Sequence, residues 1–182
     1  TPAGALSTFI PPSASGDRRF DQIAAPVRDQ AKAGAADLVV MEDVFIGQNA
    51  SASKPLCLLH GAVRLQLMRA KHPYTYVSPM SLKKYATGKH MAKKDDMRMA
   101  LYKRTGADIG DNNQVDAQWL WYMAHDGCGS PKLVMPEANR AALAKVQWPK
   151  PLAAAAVPEA AGPAGRATIR EPAPRAAARA GE

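Results

Sequence analysis

The chain has 182 residues, the size of one ordinary domain, and 47% of them are hydrophobic, enough for a sizeable core. Lys and Arg total 24 against 16 Asp and Glu, a formal charge of +8 that favours polyanions such as nucleic acid or acidic membrane over acidic proteins. Cys57 and Cys128 are the only cysteines, which excludes a disulfide framework and a four-cysteine zinc site and fits free thiols in a reducing cytoplasm. No apolar run approaches the roughly 18 residues that cross a bilayer, so no membrane partner is expected. The opening Thr1-Pro2-Ala3-Gly4 lacks the basic-then-apolar order of a secretory signal, and a first residue other than Met reads as a processed or incomplete start.

In chain order, Leu6 to Ile10, ending in Pro11-Pro12, reads as a strand remnant. Gly16-Asp17 precedes a helix over about Arg18–Lys32, with Phe20, Ile23, Ala24 and Val27 at helical spacing and Gly34 as its stop. Residues 37–42 form an apolar strand that ends in a carboxylate and is expected to be buried. A second helix spans about Pro55–Ala70, and Tyr74–Val77 is a short strand stopped by Pro79. Helices follow at about Ser81–Thr87, Lys94–Arg104, Gln114–His125 and Glu137–Val146, with Met97, Met99 and Met123 as core or gap-filling side chains. Trp148 closes the folded unit, residues 1–148. Residues 149–182 hold 13 Ala, 6 Pro and 3 Gly with no aromatic, too little apolar surface to offset chain entropy, and read as a disordered basic tail. Helices alternating with apolar strands indicate an α/β sheet flanked by helices.

Three features could carry chemistry. Glu42 ends its strand at the C-terminal edge, where α/β sheets place ligand sites, and a carboxylate leaving a buried strand must be paired, protonated, metal-bound or solvated. Asp43 points to the opposite pleat face and reads as the solvated acid. Asp116 shares a helix face with Trp119, Leu120 and Met123; its plain reading is a first-turn acid favoured by the helix dipole, with Asp111, Asn112 or Asn113 as cap. Asn113, three residues earlier, can reach the same point, and oxygen ligands without His or Cys suit Mg²⁺ or Mn²⁺ rather than zinc. From Lys83 to Arg104 eight Lys or Arg face two Asp, a charge of +6 in 22 residues that goes beyond an ordinary solvated helix face and points to phosphate. His60 and His72 read as packing or surface groups.

Residues 37–48, Asp-Leu-Val-Val-Met-Glu-Asp-Val-Phe-Ile-Gly-Gln, resemble the acidic strand of RuvC-like Holliday junction resolvases, an apolar run followed by Glu-x-x-Phe. Residues 78–97, Ser-Pro-Met-Ser-Leu-Lys-Lys-Tyr-Ala-Thr-Gly-Lys-His-Met-Ala-Lys-Lys-Asp-Asp-Met, resemble that family's Thr-Pro-x-x-x-Lys-x-x-x-x-Gly-x-Gly-x-Ala-x-Lys segment, and Lys-Lys-Tyr-Ala-Thr-Gly suits phage or actinobacterial members. Asp116-Ala117, opening an apolar helix, is similar to the family's final acid, and Gly16-Asp17-Arg18-Arg19 suits its first helix start. The resemblance spans about residues 5–126. It implies a ribonuclease H-like fold with a mixed sheet flanked by helices, and two-metal phosphodiester hydrolysis at a four-way junction in a bacterial or phage-infected cytoplasm. It implies Glu42 and Asp116 as catalytic metal ligands, with Asn113 and Asp111 as further candidates, for two Mg²⁺ or Mn²⁺ ions. Lys83 and Lys94 map onto lysines at the scissile phosphate, Phe45 onto an aromatic that stacks on an unpaired base, and Lys84, Lys89, Lys93 and Arg98 extend the DNA-binding set. The family acts as a homodimer, with the helix at Pro55–Ala70 as the contact.

The match has departures. The family's first strand carries an Asp in an Asp-x-Gly or Asp-x-Ser setting, and no acid precedes Asp17 here. Either an upstream strand is missing from this chain, or this copy lacks a metal ligand; the second case predicts a branched-DNA-binding protein without nuclease activity. Asn113 stands where the family often has Asp or His. His90 replaces the second glycine of Gly-x-Gly, so that turn must avoid positive φ. A small-molecule α/β protein is disfavoured, because no Gly-x-Gly-x-x-Gly turn or Walker lysine loop occurs.

Overall fold

The computed structural model describes residues 15–44 and 50–149. They fall within one compact unit, Thr1–Leu152, and the second unit, Ala153–Glu182, lies outside them. The predicted strand at Leu6–Ile10, Phe45 and the predicted tail beyond Pro149 are likewise outside the described residues.

Helix α1 (Asp17–Ala33) leads into β1 (Val39–Glu42), then α2 (Ala50–Arg69), β2 (Tyr74–Val77), α3 (Pro79–Thr87), α4 (Lys94–Thr105), α5 (Asn112–Gly127) and the short α6 (Glu137–Arg140). β1 and β2 are parallel, with Val39 opposite Tyr74 and Glu42 opposite Val77. Successive strand side chains alternate between faces. Val39, Met41 and Tyr74 therefore pack with Ala24 and Ala31 of α1 and Val63 and Leu67 of α2. Val40 and Val77 turn the other way, onto Leu82 and Tyr85 of α3, Met97 and Leu101 of α4, and Val115, Trp119 and Met123 of α5. The sheet is thus the middle of three layers. Its C-terminal edge, with Glu42 beside Val77, opens toward the N-termini of the helices on the second face.

Most expected elements occur within a few residues, and the departures have local causes. β1 is shorter than residues 37–42 and only half-buried, because β2 is its one hydrogen-bonded neighbour among the described residues. The described sheet is parallel throughout, so the antiparallel part of a mixed sheet is not among these residues. α2 begins before Pro55, which lies inside it. The helix expected over Glu137–Val146 stops at Arg140 and continues as a 3-10 turn at Leu143–Lys145. Asn139 donates to Tyr85 O (2.7 Å) and Arg140 grips Asp126, while Ala142 is fully buried, so the chain must tighten to meet all three. Met97 and Met123 are core, but Met99 is 51% exposed on the outer side of α4. At the α3–α4 turn Gly88 takes the left-handed conformation (φ +82°), which leaves His90 outside the positive-φ region.

The second-face core is locked by polar groups as well as apolar ones. The Trp119 indole N–H donates to Met97 O (3.1 Å), and Trp148 packs on the cluster with its N–H on Leu143 O (3.1 Å), closing the unit as expected. Gly127 lies directly beneath the Trp148 indole, and a Cβ there would enter the ring. Gly127→Ala is expected to lower stability by about 1–3 kcal/mol through overpacking, read as a fall in thermal midpoint. A midpoint equal to that of the unsubstituted protein would show that Trp148 is not held there.

Candidate active site

Glu42 reaches its position through strand alternation. It shares the pleat face of Val40, the face covered by α5, and Asp43 faces the opposite way. Asp43 is exposed, its N–H donates to Val77 O (2.8 Å) and its carboxylate accepts from Val44 N–H (2.9 Å), which is the solvated strand-end role expected of it. The end of β1 is further fixed by His60 of α2, whose Nε2–H donates to Glu42 O (3.1 Å) and whose ring lies 4.9 Å from that of Tyr76. His60 therefore holds the strand that carries Glu42. Eighteen residues separate the two, and no spacing rule links them, so sequence reasoning has no signal for it.

Asp116 comes from α5, which begins at Asn112 rather than Gln114. The acid consequently sits in the second turn, beyond the best reach of the helix dipole, and the plain first-turn explanation loses force. Asp111 is the N-cap: its carboxylate accepts from Asn113 N–H (2.7 Å) and Gln114 N–H (3.4 Å). That fulfils the capping alternative for Asp111 and engages Oδ1 of its carboxylate. The Asn113 residue is exposed.

Glu42 and Asp116 feel each other and the same two cations. Partial burial raises the Glu42 carboxyl above its ordinary value, the Asp116 charge raises it further, and Lys83 and Lys94 pull it back down. Asp116 is also raised, by burial, against the lowering pull of Lys94 and Lys83. The repulsion falls on Glu42, as it does when one acid of a close pair ionises first and the second must follow against its charge. Side chains from β1, α3, α4 and α5 are thus near enough to bias one another's charge. The ion pairs among the described residues are Arg28–Asp29, Arg98–Asp108 and Arg140–Asp126, and neither acid of the site belongs to one. Two carboxylates kept open at a strand mouth, with lysines near but not closed on them, can accept a cation and present positive charge to an anion. Among the described residues no group of three or more His, Cys, Asp or Glu is placed to hold a metal ion. Asn113, an amide outside that count, and Asp111 stand beside the Glu42–Asp116 pair as the further oxygen candidates.

Why the lysines lie there follows from the turns. Ser78 caps α3, accepting from Ser81 N–H (3.2 Å), with Pro79 at the first helical position. α3 therefore starts directly at the strand edge. Lys94 opens α4, where Asp96 accepts from Lys93 N–H (2.9 Å). Of the wider basic set, Arg98 is engaged by Asp108 (Nε to Oδ1 2.9 Å), Lys93 is the exposed N-cap of α4, and Lys84 is half-buried on α3. Lys89 points into a separate cleft with Lys103 and Arg104, two cations of the charge run that no motif marks out.

Fold and site together define an α/β protein that gathers acids at the C-terminal edge of parallel strands, faced by lysines from the following helices. The family model for the crossover junction endodeoxyribonuclease RuvC matches residues 8–110, more than half of the chain, and the protein belongs to that family. Thermus thermophilus RuvC is similar in structure, with a TM-score of 0.55 at 18% identity over 70% of this chain and 79% of that one. T. thermophilus RuvC in complex with Holliday junction substrate is similar at a TM-score of 0.56 and 19% identity, over 69% of this chain and 78% of that one. At these identities the likeness establishes a shared α/β fold. No curated protein sequence matches the chain significantly. Among the described residues no helix is long and apolar enough to cross a membrane.

Proposed function

We propose that this protein is a structure-selective endonuclease that resolves four-way or branched DNA junctions by metal-dependent phosphodiester hydrolysis. Family membership carries this reading, and the mutual electrostatic influence of Glu42, Asp116, Lys83 and Lys94, drawn from four separate elements, supports it. Glu42 and Asp116 suit a hard divalent cation such as Mg²⁺ or Mn²⁺, since both are oxygen donors whose mutual repulsion a cation would relieve. Such ions, two in the family scheme, supply Lewis-acid polarisation of the phosphate and a more acidic bound water. Lys83 and Lys94 offset the charge of the incoming phosphate and the further charge that develops as the bond breaks. Asp111 and Asn113 are the further oxygen ligands of this proposal, and Asp111, as the cap of α5, also sets the position of Asp116. Phe45 follows Glu42 closely in sequence and is assigned to stack on an unpaired base.

A homodimer fits a four-way junction, whose resolution needs two opposed cuts. α2 supports this: Leu58, Leu65 and Met68 lie at i, i+7 and i+10 on one stripe, each at least 41% exposed, while Val63 and Leu67 face α1. The pair of carboxylates, with no third His, Cys, Asp or Glu grouped with it among the described residues, favours as second reading a junction-binding protein without nuclease activity.

The deciding experiment incubates the chain with a synthetic four-way junction and with linear duplex of the same sequence, in Mg²⁺, in Mn²⁺ and in EDTA. Symmetrical nicking of the junction alone, dependent on the divalent ion, is the expected result. Binding that weakens steeply with salt, with no scission under either ion, would select the second reading. No preference for the junction over duplex would reject both.

A further inference from the structure

The catalytic cluster leaves part of the basic hairpin unexplained. On the far side of α4, Asp96, Met99, Ala100, Lys103 and Arg104 form one continuous helix face. Thr87 and Lys89 wall it on the α3 side, enclosing an open cleft of about 250 Å³. Three cations and one acid line it, and none of the three cations is ion-paired to a carboxylate among the described residues. The one acid is occupied: Asp96 accepts the Lys93 N–H at 2.9 Å. Arg104 is held in place, with its guanidinium over the Trp119 ring at 5.8 Å and a bond to Ala100 O (3.4 Å). Lys89 is set by Thr87, whose hydroxyl accepts the Lys89 N–H (3.1 Å) and donates to Lys83 O (2.8 Å). A helix C-terminus attracts Lys103 and Arg104 through its dipole, but Lys89 lies outside α4, beyond the opposite end of that helix, and needs another reason.

We propose that this cleft is a second phosphate-backbone site, taking the DNA strand several nucleotides away from the Glu42–Asp116 pair. The proposal rests on the DNA-junction reading above. Nine residues separate Lys94 from Lys103, about 13 Å along the helix and about half a turn around it. The two groups therefore engage different phosphates. At roughly 3.4 Å of rise per nucleotide, that length corresponds to about four steps of one strand. The cleft thus lengthens the footprint along a junction arm and sets the angle at which the arm leaves the acid pair.

The test measures junction affinity of the full chain in EDTA across a salt series, for the unsubstituted protein and for Lys89→Gln/Lys103→Gln. Each phosphate that a variant no longer neutralises should reduce the slope of log affinity against log salt by about 0.9, so the double variant is expected to fall by about 1.8. Both side chains are exposed, and an unchanged thermal midpoint confirms folding. Should the pair of changes destabilise the chain, Lys103→Gln alone is measured, with a reduction of about 0.9 expected. An unaltered slope in a folded variant overturns the cleft and leaves the nuclease reading standing. Failure of the unsubstituted protein to bind any junction overturns both.

Discussion

Asp116→Asn is expected to abolish strand scission while leaving junction binding intact or tighter. The side chain keeps its shape and loses its charge, so the change removes half of the negative charge that would hold a cation between Glu42 and Asp116. Altering groups that merely support a metal ligand costs roughly 10–100-fold in activity or metal affinity. Loss of a ligand in a site with only two carboxylates should exceed that, so a fall on the order of 10³-fold is expected, measured as single-turnover cleavage of a saturating junction. Cutting at the parental rate would eliminate the proposed site. The same substitution carries a stability signature with a defined sign. Both acids have folded-state values above their ordinary ones, so their ionisation costs the fold stability, and that cost grows as pH rises through the raised values. Without divalent ions, Asp116→Asn should therefore raise the thermal midpoint at neutral pH, and the gain should shrink as the pH falls into the acid range where both carboxyls are protonated. Added Mg²⁺ should stabilise the unsubstituted protein more than the variant, because only the former keeps both ligands.

Asp126→Ala, a change outside the site, is expected to destabilise the fold strongly. The Asp126 side chain is 1% exposed, accepts from Arg140 through Nε (3.1 Å) and Nη2 (2.8 Å), and accepts the Tyr85 hydroxyl at 3.1 Å. Burial and the Asp126 charge together push the Tyr85 phenol well above its ordinary value, so it remains a donor and needs an acceptor. Arg140 is half-exposed and can return to water, which spares part of the cost of breaking a buried pair. Tyr85 is fully buried and would keep only the longer contact to Tyr122 O (3.4 Å). The two considerations give a loss of about 2–4 kcal/mol, or roughly 5–15 °C in thermal midpoint. Asp126→Asn, which retains an acceptor for Tyr85, should recover part of it. A loss below about 0.5 kcal/mol for the alanine variant, the range of an ordinary surface change, would show that this network does not hold α3, α5 and α6 together.

The network also marks how far sequence reasoning reaches. Asp126 stands near the end of α5, beside His125 in the chain. Its real partners lie 41 and 14 residues away, and nothing in their spacing announces them. The same holds for His60 and for the cleft of Lys89, Lys103 and Arg104: a charge run states how much positive charge there is, not how two helices divide it between faces.

What the sequence alone determined is local. Apolar periodicity placed seven of the described strands and helices within a few residues, because each element's pattern repeats over its own length. Motifs in order disclosed the family: Glu42 ends a strand, the Lys83–Lys94 segment runs from α3 into α4, and Asp116 lies near the start of an apolar helix. Tertiary structure alone decided how the chain's other acids are used and which way each strand-end acid faces. β1 alternation sends Glu42 toward α5 and Asp43 away, the early start of α5 uses Asp111 as a cap, and Asp96, Asp108 and Asp126 are bound elsewhere. Strands and helices follow from short-range sterics and hydrophobic spacing, whereas the pairing of charges depends on which elements pack together, and packing is a property of the whole chain.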